Sequence, residues 1–146
     1  MRAPQIIILG FDDWLAKQLR PVAVEHRWLL TDCRQLAAAK AAASERRPLL
    51  LLVQVDPHSD ASPSLALLAE LHRARPEIAI VVISDGKLPD DDRARWTAAA
   101  FDLGAVYVLF PPLTGPVLED LIGGLMTALV PREMVIDLAE EGTVPS

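Results

Sequence analysis

Residues 47–57 read RPLLLLVQVDP, and they set the architecture of the chain. From Leu49 to Val55, opened by Pro48, the run is apolar except for Gln54. A strand with one wet face alternates apolar and polar side chains. A continuous run has both faces covered, as in a parallel sheet between two helical layers. Similar runs lie on either side. They are Ile6–Leu9, closed by Gly10, then Trp28–Thr31, Ile78–Ile83, and Val106–Phe110, closed by Pro111 and Pro112.

The segments between these runs have helix signals. Asp12 or Asp13 caps the first helix, which sends Trp14, Leu15, Leu19 and Val22 to the sheet until Pro21 kinks it or ends it early. Asp32 followed by Gln35 is a capping-box spacing before an Ala-rich second helix, and Cys33 falls at its start. Ser62–Pro63 opens a third helix that Pro76 stops. Asp90 to Asp92 favour a helix N-terminus, and Gly104 suits a left-handed C-cap. Thr114 caps a fifth helix that buries Val117, Leu121, Ile122 and Leu125, although Gly123 and Gly124 each weaken it by roughly 1 kcal/mol relative to Ala. In the fourth helix, Ala94, Ala98 and Phe101 form the stripe expected to bury. Trp96, Ala99, Ala100 and Leu103 form a second one. Five βα units with right-handed crossovers predict an α/β fold, a doubly wound parallel sheet of order 2-1-3-4-5, flavodoxin-like. The domain covers 1–130. Pro131 breaks the chain, and 131–146 forms a C-terminal tail with an apolar stretch at Met134–Leu138.

Composition narrows the function. A chain of 146 residues with 51% hydrophobic and 23% charged residues suits one globular domain. A lone Cys33 fits a reducing compartment, and the N-terminal apolar run is too short for a signal peptide, so a cytoplasmic location and no membrane partner are expected. Net charge is −6 with scattered basic residues, which disfavours nucleic acid. His26, His58 and His72 lack zinc spacing, with His58 over the strand ends. Ser59, Ser62 and Ser64 lie in no Gly-x-Ser-x-Gly elbow, and no phosphate-binding Gly-rich loop follows the first run. No enzyme activity, metal or cofactor is expected.

Three motifs carry a resemblance: GAVYVLFPPL (104–113), ARPEIAIVVISD (74–85) and RPLLLLVQVDP. Over about residues 5–130 the chain resembles the receiver domain of bacterial response regulators, modules of two-component signal transduction. Pro112 takes that family's cis-proline place. The resemblance implies four chemical parts: an acidic pair that holds Mg²⁺, an aspartate that accepts phosphoryl, a hydroxyl that senses it, and a lysine that neutralises its charge. The corresponding positions here are Gly10 and Phe11, Gln54, Ser84, and Pro111. Of these, Ser84 alone keeps the required chemistry. A carboxamide is no nucleophile at phosphorus, and proline has no charge. The pattern is that of a degenerate pseudo-receiver, implying a phosphorylation-independent module that binds a protein partner, as a homodimer or with another signalling protein.

Two alternatives go with it. Asp12, Asp13, Asp56 and Asp85 lie just past strand ends and could form a displaced acidic pocket for Mg²⁺ or a phosphoryl group. A shift of two residues along a strand is roughly 6.6 Å, and aspartates are common in such turns anyway. The second alternative is a small-ligand sensor using the uncharged floor at Gln54 and Ser84. In receivers the fourth helix, fifth strand and fifth helix form the usual contact face, which here singles out Trp96, Leu103 and Tyr107 for an interface.

Overall fold

A computed structural model describes residues 3–45, 47–56, 58, 62–84 and 86–143. Five parallel strands form one sheet: β1 (Gln5–Leu9), β2 (Leu29–Cys33), β3 (Leu49–Val55), β4 (Ala79–Ser84) and β5 (Ala105–Leu109). Their order is β2-β1-β3-β4-β5, as expected from the alternating pattern. The helices are α1 (Trp14–His26), α2 (Leu36–Ala43), α3 (Ser62–Ala74), α4 (Asp90–Asp102) and α5 (Gly115–Thr143).

β3 lies between β1 and β4, with Leu9 opposite Val53 and Val55 opposite Ser84. All seven of its residues are buried, which is why its sequence does not alternate. Strand parity splits the core in two. Ile7, Leu51 and Val53 join Ala39, Leu68 and Ala100 on one face, under α2, α3 and α4. Ile6, Ile8, Leu50 and Leu52 join Leu15, Leu19, Leu118, Ile122 and Met126 on the other, under α1 and α5. A fully buried aliphatic side chain contributes about 1.5–3 kcal/mol, so these two layers dominate the stability.

Several local expectations give way to packing. α1 runs through Pro21 to His26, because Leu15, Leu19 and Ala23 bury one continuous stripe while the proline stays exposed. Arg27 ends it with φ 60°. The expected capping box at Asp32 does not form. Asp32 belongs to β2, where its carboxylate takes the Arg34 guanidinium, and Gln35 caps α2 without a side-chain bond. Cys33 accordingly ends a strand rather than starting a helix. On α5 the buried stripe is Leu118, Ile122 and Met126, one residue out of phase with the expected start at Val117, which is exposed. Thr114 does cap this helix, accepting the Val117 N–H at 3.4 Å. α5 continues past Pro131 to Thr143 without the break expected there.

On α4 the second stripe turns inward in part, with Ala99 left exposed. Ala100 is fully buried, and Trp96 and Leu103 pack partly buried against the first core layer. Ala94, Ala98 and Phe101 face outward. Trp96 and Leu103 together offer more apolar area than Phe101 and two alanines, so turning them inward is the favourable choice.

Two tight junctions hold the layers. Gly104, at φ 107°, follows α4, and a Cβ there would fall 2.3 Å from Cγ of His72 on α3. Arg75, just past α3, donates to the carbonyls of Ala43 (2.6 Å) and Glu45 (2.8 Å), closing the exit of α2. Among the described residues no helix is long and apolar enough to cross a membrane.

Candidate functional site

Parallel doubly wound sheets bind ligands beyond the carboxyl ends of their strands. Here that edge holds an open cavity of about 250 Å³. Its polar residues are Gln54 from β3 and Ser84 from β4. Trp14, Leu15, Ile83, Pro111 and Leu113 supply the apolar walls. None of these described lining residues is ionisable.

The chain reaches this arrangement through the strand register. Leu9 pairs with Val53, so Gly10 and Phe11 leave β1 directly above the end of β3. Gln54 is 6% exposed, and its Oε1 accepts the Phe11 N–H at 3.0 Å. A Cβ on Gly10 would lie 2.9 Å from that same oxygen. A side chain at position 10 and Gln54 in this rotamer therefore exclude each other. Ser84 is 2% exposed and donates its hydroxyl to the Gly86 carbonyl at 3.1 Å. The Pro111–Pro112 peptide is cis, with Pro111 in the cavity wall.

Gln54, Ser84 and Pro111 thus converge on one cavity, with Gly10 and Phe11 at its edge. The aspartates do not join them as lining residues. Asp12 is exposed and accepts the Trp14 N–H at 3.0 Å, holding the start of α1. Asp13 is paired with Lys17 at 3.1 Å, and this lysine holds its carboxyl below the usual carboxylate range. Asp56 accepts the His58 N–H at 2.9 Å, and the His58 ring meets the Lys87 carbonyl at 3.1 Å, linking the loops after β3 and β4. Asp85 and Ser59 lie outside the described residues. Among the described residues no group of three His, Cys, Asp or Glu side chains could hold a metal ion.

Two of the three interface candidates are half-buried in their own core, Trp96 and Leu103, while Tyr107 is 46% exposed. Phe101 on α4 and Val106 on β5 are also large apolar side chains left exposed. Trp14 was legible as a neighbour of the pocket from its place beside Asp13, whereas sequence reasoning missed Leu15, Ile83 and Leu113 as walls. The available signal was position: each lies within a few residues of a strand's carboxyl end.

No protein-family model and no curated protein matches the chain. Solved structures do. A CheY-like response regulator receiver domain protein from Methanospirillum hungatei JF-1 is similar at 15% identity, over 88% of this chain and 97% of that one, with TM-score 0.66. NtrX from Brucella abortus is 21% identical over 94% of this chain, with TM-score 0.69, and this chain spans 30% of its length. An orphan response regulator of H. pylori is 14% identical over 84% of this chain and 95% of that one, with TM-score 0.66. The architecture is the flavodoxin-like fold of response-regulator receiver domains, and at these identities the likeness is one of fold.

Proposed function

We propose that this chain is a pseudo-receiver, a non-enzymatic module of a two-component system that works through protein contact independently of phosphorylation. The observation that carries this reading is the buried Gln54 carboxamide bound to the Phe11 N–H where a receiver's acceptor aspartate is expected. Pro111 in place of the lysine supports it, because phosphoryl transfer needs a cation to offset developing charge. The Oε1–N–H bond also gives the loop after β1 a fixed position that requires neither metal nor phosphoryl group.

The partner in this reading is a protein, either a second copy of the chain or another signalling protein in a bacterial cytoplasm. The contact face includes the exposed Tyr107 of β5 and Phe101 of α4. Trp96 and Leu103 are half-buried against the first core layer. The tail 131–146 accompanies the domain.

The test is exposure to a small acyl phosphate with Mg²⁺, followed by intact mass. The proposal expects no phosphoryl adduct on the wild-type chain. An adduct that disappears in Asp56→Asn would establish the displaced-aspartate alternative instead.

A further inference from the structure

The cavity above Gln54 and Ser84 presents no charged side chain among its described lining residues. An anion there meets no cation among the described lining residues, so desolvating its charge is costly. A metal ion meets no carboxylate among them. What the walls offer is apolar surface from Trp14, Ile83, Pro111 and Leu113 around two buried polar groups. Sites for small neutral molecules likewise combine apolar walls with a few placed polar atoms that fix orientation.

Size and hydrogen-bond polarity narrow the ligand further. The volume of about 250 Å³ lies below the roughly 300–1,000 Å³ of drug-sized pockets, which selects a single-ring or similarly compact molecule. Ser84 has already used its one proton on the Gly86 carbonyl. Its oxygen can then only accept from a molecule entering the cavity. We infer that this cavity is a binding site for a compact, uncharged molecule that lays an apolar face on these walls and presents one O–H or N–H donor to Ser84 Oγ.

The site would make the loop after β1 responsive to that molecule, since Trp14 in its wall follows directly on the turn held by Gln54 and Asp12. This inference does not depend on the protein-contact reading above. It concerns occupancy of the cavity, whichever partner the outer face takes.

Phenol, toluene and benzoate serve as probes of nearly equal size: neutral with a donor, neutral without one, and anionic. Each is titrated into the full 15N-labelled chain, and the Trp14 indole and the Ser84 and Gly86 amides are followed. Phenol should give saturable shifts at millimolar concentration, with toluene about tenfold weaker for lack of the hydrogen bond and benzoate silent. Ser84→Ala should reduce phenol to the toluene level and leave toluene unchanged. Leu113→Trp, a filling change at a half-exposed wall position, should abolish both. No saturable shift with phenol, equal binding of benzoate, or phenol binding unaffected by Ser84→Ala would each overturn the inference.

Discussion

Gln54 Oε1 accepts the backbone N–H of Phe11 at 3.0 Å, joining the buried end of β3 to the turn that leaves β1. The bond spans 43 residues of chain, so it constrains tertiary structure rather than a local turn. In the proposed pseudo-receiver reading, it also occupies the position where a receiver's chemistry would need a carboxylate open to metal and phosphorus.

Replacing this acceptor should cost stability. Gln54→Leu leaves the Phe11 N–H without its partner, an expected loss of about 1–3 kcal/mol in urea denaturation. Gln54→Asp puts a carboxyl into a buried, uncharged setting, which raises its folded-state pKa above the roughly 3.9 of an unfolded chain. The folded form then holds the proton more tightly than the unfolded form. Stability is intact below the unfolded pKa and falls as pH rises through the folded one. The variant should therefore lose stability relative to wild type between acidic and neutral pH. A pH-independent difference would contradict this.

Cys33 gives a second pH dependence. It is 4% exposed at the end of β2, and burial, reinforced by Asp32, pushes its thiol up. The unfolded thiol ionises near pH 8.5, before the folded one. Stability is present below that value and declines as pH climbs past it. Thermal unfolding of wild type and Cys33→Ala from about pH 8 to 9.5 checks this, the expectation being a shallower alkaline decline in the variant.

Gly104 should not tolerate a side chain. At φ 107° any Cβ is strained, and here it would also strike the His72 ring. Gly104→Ala should cost about 2 kcal/mol or more. In the His72→Ala background the cost should shrink only in part, because the ring atoms go while the Cβ at position 72, 2.7 Å away, and the backbone strain stay. A double-mutant cycle measures the difference.

The outer face and its support should separate experimentally. Trp96→Ala removes an indole packed on the core and should destabilise by about 3 kcal/mol. Phe101→Ser and Tyr107→Ser alter side chains that are 48% and 46% exposed, and should change stability by less than about 1 kcal/mol. If this face mediates self-association, sedimentation should show the latter pair weakening it while the fold stays intact.

The sequence foretold the fold wherever one physical effect dominated. Leu49–Val55 could only be a doubly covered strand, and Thr114 and Gly104 had no local competitor. It misled where tertiary burial outweighed a local signal. Pro21 opposes a helix, yet the stripe of Leu15, Leu19 and Ala23 carries α1 through it. The phase of α4 was hidden because alanines fit either side, and burial of Trp96 decided it. The floor of the cavity was legible, since register alone brings Gln54 near Gly10 and Ser84. Apart from Trp14, its walls were not, because they depend on how helix starts and the prolines after β5 fold over the sheet.

The most direct test of the central claim is a titration with Mg²⁺ and then beryllofluoride, a phosphoryl mimic, followed by amide NMR. Trp14 lines the cavity and supplies a resolved indole reporter. The account predicts that the Trp14 indole and the Asp12, Asp56 and Ser84 amides stay unmoved at millimolar Mg²⁺ with beryllofluoride present. Saturable shifts at these positions would mean that the chain still operates a phosphoryl switch, and would contradict it.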